Sequence, residues 1–318
     1  MEKIEYLDLY KKMYLIRHFE ESCGENYSKG FIRGFLHLYI GEEAIAAGSI
    51  APLREDDYIV THYRDHGHAI ARGLETGPLM AELFGKKTGV SGGKGGSMHL
   101  FDASKNFMGG HAIVGAQIPL AAGFALASQY KKKDSITVVY FGDGATNQGT
   151  FHETMNLASI WKLPILFFLE NNFYGMGTSV EKIRANGKSF GNLAENYGMP
   201  STVVDGMDVL AVKETTEEAI KKIRSGSGPA FIEATTFRYQ GHSMADPAKY
   251  RTDKELDEWK EKDPLINFHK HLIDQGLATE SDIEKVSKAA DDDLNKAVKF
   301  ATESPEPDLD DIKNDIYA

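Results

Sequence analysis

The residues best suited to chemistry close two apolar runs. Gly142, Asp143 and Gly144 end one run, Asn171 and Asn172 end the next, and 26 residues separate Gly144 from Asn171. The carboxylate of Asp143, the side-chain carbonyl of Asn172 and one main-chain carbonyl would make a hard oxygen site. Magnesium favours such a site when phosphates complete its shell. The two glycines leave little bulk around the carboxylate and let the backbone approach a ligand closely. A lone Gly-Asp-Gly is usually an ordinary turn, so the weight rests on the pair at this spacing.

That spacing suits a strand, a crossover helix and a second parallel strand. Ser135–Phe141 (SITVVYF) has the β-branched and aromatic composition of a buried strand. Thr150–Trp161 predicts a helix with Phe151, Met155 and Ala158 on one face; Pro164 stops it, and Ile165–Leu169 is the next strand. Both polar turns then fall at the sheet edge where open α/β folds bind ligands. A helix start after Gly144 would favour phosphate there.

The remaining elements follow from pattern. Residues 1–30 read as a helix and 41–85 as mainly helical, broken by Gly73, Gly77 and Pro78. Thr88–Gly96 is glycine-rich and reads as a loop, and Gly115–Tyr130 as a small-residue helix. The segment 173–192, with Gly175, Gly177, Gly187 and Gly191, reads as a mobile loop, and Tyr239–Thr252 as a second polar loop. Ser201–Val204 and Ala230–Phe237 predict strands with the helix Val209–Arg224 between them. After Lys254 the chain turns helical and charged, ending in a Pro- and Asp-rich stretch, Ser304–Asp311. The expectation is an α/β fold, a parallel sheet flanked by helices, as one domain over 1–318. Its core is about 30–255, with helical N- and C-terminal extensions, the latter 255–318.

Composition narrows the function. At 318 residues, 42% hydrophobic and 26% charged, the chain can bury a substantial core. A formal net charge of −11 argues against a nucleic-acid partner. A single cysteine, Cys23, allows no internal disulfide and suits a reducing compartment. The start lacks the apolar core of a signal peptide, and no apolar run approaches the ~20 residues of a membrane span, so the expected location is cytoplasmic.

Other motifs fail closer inspection. His62, His66 and His68 suggest a transition-metal cluster, but Arg64 and Asp65 intervene and no HExxH follows. His152-Glu153 lacks the second histidine, since Asn156 stands there. The segment around Lys94 does not complete a phosphate loop, because Gly95 follows the lysine; it is expected to be a packing loop near a partner subunit.

With the two turns placed, the chain resembles the α subunits of thiamine diphosphate-dependent 2-oxo acid dehydrogenases, the decarboxylating components of multienzyme complexes. The resemblance is carried by RGFLHLYIGEEA (Arg33–Ala44), THYRDHG (Thr61–Gly67), GGKGGSMH (Gly92–His99), IVGAQIPL (Ile113–Leu120), ENNFYGMGTSVE (Glu170–Glu181) and YQGHSMADP (Tyr239–Pro247). These segments cover roughly residues 30–255 in order, and the pyruvate branch matches best. Acetoin and branched-chain 2-oxo acid enzymes are the alternatives within the family, and a non-catalytic scaffold subunit is the alternative outside it.

The resemblance implies a thiamine diphosphate-binding fold and oxidative decarboxylation with acyl transfer to a lipoyl group. It implies that Asp143, Asn172 and the main-chain carbonyl of Tyr174 bind Mg2+, and that Tyr63 and Arg64 hold the diphosphate. Ala112, Val114, Gly144 and Ala145 would line the cofactor, with Ile113 or Val114 wedged beneath it. His242 would assist the reacting intermediate and His37 would face the substrate; imidazole suits both because its ordinary pKa lies near neutrality. No carboxylate for activating the cofactor stands out in this chain. The family takes it from a β subunit, which implies an α2β2 assembly serving a lipoyl-bearing dihydrolipoyl acyltransferase. Ser179 and Ser243 match positions phosphorylated in eukaryotic relatives, but Asp246–Thr252 is one residue shorter and lacks a further such serine. Both are expected to be plain surface serines.

Overall fold

Strict alternation in the two central apolar runs sorts their side chains onto opposite faces of one sheet. In the computed structural model, which describes residues 1–185 and 189–314, the chain runs α1 (Lys3–Ser28), α2 (Glu43–Ile50), β1 (Tyr58–His62), α3 (His66–Arg72), α4 (Thr76–Leu83), β2 (Phe107–His111), α5 (Gln117–Tyr130), β3 (Thr137–Gly142), α6 (Gly149–Trp161) and β4 (Ile165–Asn171). It continues through β5 (Tyr174–Gly175), β6 (Thr178–Ser179), α7 (Val180–Ile183), α8 (Gly191–Glu195), β7 (Ser201–Asp205), α9 (Val209–Lys222), β8 (Ala230–Thr235), α10 (Asp253–Lys260), α11 (Pro264–Asp274) and α12 (Glu280–Glu303). Six strands form a sheet in the order β2-β1-β3-β4-β8-β7, every pair parallel.

Val138 and Tyr140 of β3, with Leu166 and Phe168 of β4, join a core that includes Phe19 of α1, Ile45 of α2, Val212 of α9 and Ala297 of α12. Val139, Phe141, Phe167 and Leu169 face the other way, onto Ala121 and Ala125 of α5 and Phe151, Met155 and Ala158 of α6. Phe167 and Phe168 are both fully buried, and each such side chain contributes roughly 1.5–3 kcal/mol relative to exposure. The small residues of α5 let that helix lie close to β1 and β3. The C-terminal helices share this core: Ala290, Ala297 and Ala301 of α12 pack into the first face. Among the described residues no helix is long and apolar enough to cross a membrane.

The sequence expectation misses two strands of the six-stranded sheet. β1 lies within the region read as mainly helical, and Gly77 and Pro78 open α4 rather than break a helix; proline suits a first helical turn. β2 reads FMGGH, whose glycines give it little strand propensity of its own. Pairing with β1 holds it there, and Gly109 sits at φ 82° with the Phe101 ring 2.3 Å from where a Cβ would be. From Asp143 to Asn147 the chain makes a 3-10 turn that includes Gly144, and α6 starts only at Gly149. The segment 173–192 contains the antiparallel β5–β6 pair, α7 and the start of α8; its Gly187 lies outside the described residues.

Candidate active site

Parallel pairing sets Gly142 of β3 opposite Glu170 of β4. Asp143 and Asn172 therefore leave neighbouring strands at the same edge, and both line a cleft of ≈ 1040 Å³. Asp143 is 2% exposed, and its Oδ2 has no hydrogen-bond partner. Burial pushes its carboxyl up to about 6, with Arg238 pulling the other way. A buried carboxylate oxygen without a donor requires a proton or a cation.

The two asparagines divide their work. Asn171 is fully buried; its Nδ2 donates to Glu233 Oε1 at 2.8 Å and its Oδ1 accepts from Phe173 N at 3.1 Å. Asn172 Nδ2 donates to Glu42 Oε1 at 3.0 Å, and its Oδ1 accepts from Tyr174 N at 3.3 Å. The turn that follows is tight: Phe173 and Met176 take φ 66° and 56°. A bulky residue in the left-handed region is uncommon and often marks a functional turn. The Tyr174 hydroxyl donates to Glu255 at 2.9 Å, which ties this turn to α10.

Arg64 is buried in the cleft wall. Its Nη1 donates to Leu38 O at 2.7 Å, its Nη2 to His242 O at 3.0 Å, and its Nε stands 3.6 Å from Glu42 Oε2. Each terminal nitrogen keeps a second hydrogen. Burial, then the positive charge of Arg238, lowers its pKa. Tyr63 stands beside it, its ring centroid 4.6 Å from that of His37. Arg238, just past β8, is a second buried cation in the cleft; it donates to Met176 O at 3.2 Å and Tyr250 Oη at 2.7 Å, stitching together the loops after β4 and β8.

His37 and His242 face each other with ring centroids 5.0 Å apart, and Nδ1 of each is buried without a partner. Burial, then Arg64 and His242, lowers His37 to about 2; burial, then Arg64 and Arg238, lowers His242 to about 4. The near-neutral pKa of a free imidazole is not kept here. In this low-dielectric pocket beside two guanidinium groups both rings are neutral at pH 7. The His242 loop is braced by Asp246, which accepts from His242 N at 2.6 Å and from Tyr250 Oη at 2.8 Å.

The cleft floor is ionic. Glu170 accepts short hydrogen bonds from Tyr39 Oη and His62 Nε2, and His68 Nε2 lies 3.1 Å away. Burial pushes its carboxyl up, but the two imidazoles outweigh it and hold it below its ordinary value. His66 points elsewhere, to Glu20 at 2.8 Å and Ser97 at 3.0 Å, so the three histidines near residue 62 do not converge.

All the expected site residues line this one cleft: His37, Tyr63, Arg64, Ala112, Val114, Asp143, Gly144, Ala145, Asn172, Tyr174 and His242. Val114 is in the wall, whereas Ile113 is 76% exposed and outside it. Ser243 is buried, which corrects the expectation of a surface serine. Sequence reasoning missed Glu42, Glu170 and Arg238. Each stands inside a quoted motif or beside a strand end, but a charged residue there gives no sign of which way it faces.

The chain has clear relatives. The model of the family described as "Dehydrogenase E1 component" matches residues 11–310. Three proteins described as "Pyruvate dehydrogenase E1 component subunit alpha" are similar over nearly the whole chain. The one from Rhizobium meliloti (strain 1021) is 47% identical, with 99% of this chain and 90% of that protein aligned. The one from Rickettsia felis (strain ATCC VR-1525 / URRWXCal2) is 42% identical over 99% and 96%. The one from Porphyra purpurea is 42% identical over 100% and 94%.

Proposed function

We infer the function from one premise and one cleft: the chain belongs to the dehydrogenase E1 component family. It is the α subunit of a pyruvate dehydrogenase E1 component. With a β subunit, in an α2β2 assembly, it carries out oxidative decarboxylation of pyruvate and delivers the acyl group to a lipoyl group of a dihydrolipoyl acyltransferase. One observation carries this reading: adjacent parallel strands bring Asp143, its Oδ2 unpartnered, and Asn172 to the same cleft.

The residues present fit magnesium and thiamine diphosphate. Asp143, Asn172 Oδ1 and the Tyr174 carbonyl would hold the ion, an oxygen set suited to magnesium. Arg64, with hydrogens to spare, and Tyr63 would hold the diphosphate. Ala112, Val114, Gly144 and Ala145 would line the rest. Thiamine diphosphate, when bound, supplies the electron sink that lets a 2-oxo acid lose carbon dioxide. The chain's own part is orientation, exclusion of water and proton handling. His242 and His37, neutral and with Nδ1 free, can each donate or accept a hydrogen bond toward the reacting group. Glu42 and Glu170 are committed to Arg64, Asn172, Tyr39 and the floor histidines. That supports taking the activating carboxylate from the β subunit. The exposed Ile113 beside the cleft supports contact with another chain.

The described parts of the first loop, 173–185 and 189–192, and the loop 239–252 become more ordered when cofactor and magnesium bind. The chain is one domain over 1–318 and works in the cytoplasm, where its one buried cysteine stays reduced. Co-expression with the β subunit, followed by decarboxylation assays with an artificial electron acceptor, tests the reading. Pyruvate should turn over faster than acetoin or 3-methyl-2-oxobutanoate; preference for either of those would reassign the substrate.

A further inference from the structure

The glycine-rich loop after α4 is wrapped around a buried anion supplied by the chain itself. Glu82, in the last turn of α4, is fully buried. Its Oε2 accepts from the main-chain N–H of Ser91 and Gly93, both at 2.8 Å, and its Oε1 from Gly95 at 2.6 Å and Gly96 at 3.1 Å. A carboxylate at the negative end of a helix is unfavourable by itself. Convergent backbone N–H groups reverse that, as they do in anion-binding nests. The glycines are required by this wrapping. A Cβ on Gly89 would lie 2.2 Å from Glu82 Oε2, and Gly93 takes φ 76° with carbonyl oxygens of Gly85 and Lys86 closer than 3 Å to its Cβ position.

The loop delivers its end to the cleft. Ser97 Oγ and O both lie 3.0 Å from His66 Nε2, and the next residue, Met98, is in the cleft wall. His99 Nδ1 sits 3.0 Å from Gly110 O, and Ser91 Oγ donates back to His99 O at 2.8 Å. Gly110 belongs to β2, whose end runs into Ala112 and Val114 of the same wall. We propose that Glu82 is a positioning residue: its carboxylate is the template on which 89–97 folds, and through Met98 and the 110–114 segment it holds the wall of the cofactor cleft. The proposal rests on that cleft being the cofactor site.

The test uses the α/β complex. Glu82→Gln replaces one acceptor oxygen with an NH2 group facing two N–H donors, and it should weaken thiamine diphosphate binding about tenfold, measured calorimetrically with magnesium. Glu82→Ala leaves an empty cage of N–H groups, so added formate should restore affinity in Glu82→Ala but not in Glu82→Gln. Hydrogen exchange of the parent complex should show the amides of Ser91, Gly93, Gly95 and Gly96 as protected as those of the central strands. Exchange at exposed-loop rates overturns the template, whether or not any variant folds. Asp143→Ala serves as the control. If it alone loses affinity while both Glu82 variants keep it, the positioning role is wrong; if it too keeps affinity, the cofactor reading of the cleft fails.

Discussion

Asn172 donates its amide Nδ2 to Glu42 Oε1 at 3.0 Å, and that bond decides which way the amide faces. Burial pushes the Glu42 carboxyl up to about 7, with Arg64 pulling it down; above that pH it is a carboxylate that can only accept, so the nitrogen turns to Glu42 and the Asn172 oxygen lies on the side of Tyr174, accepting from its N–H. Glu42 also faces Arg64 across 3.6 Å. A single buried acid thus links the residue expected to hold an ion with the residue expected to hold a diphosphate.

Removing that link should loosen both. Glu42→Ala is expected to weaken magnesium-dependent thiamine diphosphate binding by at least ~1.4 kcal/mol, or about tenfold. Glu42→Gln should lose less, because its carbonyl can still accept from Asn172 while its NH2 group repels Arg64. Calorimetric titration of the α/β complex checks both. Equal, unchanged affinities would mean that Tyr174 N alone orients the amide.

Asp143 should show opposite effects on stability and function. Its Oδ2 is buried without a donor, a costly arrangement without a cation. Asp143→Asn should therefore raise the melting temperature of the cofactor-free protein at neutral pH. The same change, like Asp143→Ala, should weaken magnesium and cofactor binding about tenfold or more. A variant that melts lower and binds normally would remove Asp143 from the ion site.

Gly41 tests the turn that carries Glu42 inward. It takes φ 102°, and a Cβ there would lie 2.3 Å from Phe237 O. Its N–H also donates to Glu43 at 3.1 Å. Gly41→Ala combines backbone strain with a steric clash, so a loss of roughly 1–3 kcal/mol or more is expected. Chemical denaturation measures the stability, and cofactor titration should show a parallel loss of affinity. A neutral variant would mean that the Gly41 turn relaxes without cost.

How much of this was legible beforehand depends on where the information lies. The β3-α6-β4 unit was readable because its signals are local: continuous β-branched and aromatic runs, a proline stop and polar turns at a fixed spacing. β1 and β2 were not, since five residues each, one strand carrying two glycines, give too little periodicity. Only pairing with neighbours makes FMGGH a strand. The site residues inside the quoted motifs could be named from resemblance. Arg238, Glu170 and Glu42 could not, because their importance comes from what they meet across the fold: Met176 and Tyr250, His62 and His68, Arg64 and Asn172. The neutral state of the two cleft histidines was hidden for the same reason.

That neutral state has a consequence for acid stability. In the unfolded chain the His242 imidazole protonates at 6.5, but in the folded cleft only at about 4, because burial and then Arg64 and Arg238 oppose the charge. Between these values the unfolded state binds the proton more readily than the native state. His242 therefore contributes stability that is fully present above 6.5 and lost as pH falls through about 4. His37 is shifted the same way, to about 2, and adds to the slope. Glutamine at 242 cannot take up the proton. His242→Gln should lose less melting temperature than the parent between pH 7.5 and 4.5, and His37→Gln combined with it should flatten the profile further. Inorganic diphosphate with magnesium, bound in the cleft, would place negative charge near His242 and raise its pKa, which should shrink the gap between parent and variant. Parallel pH profiles for parent and both variants would show that these imidazoles are exposed to solvent and that the cleft does not set their charge.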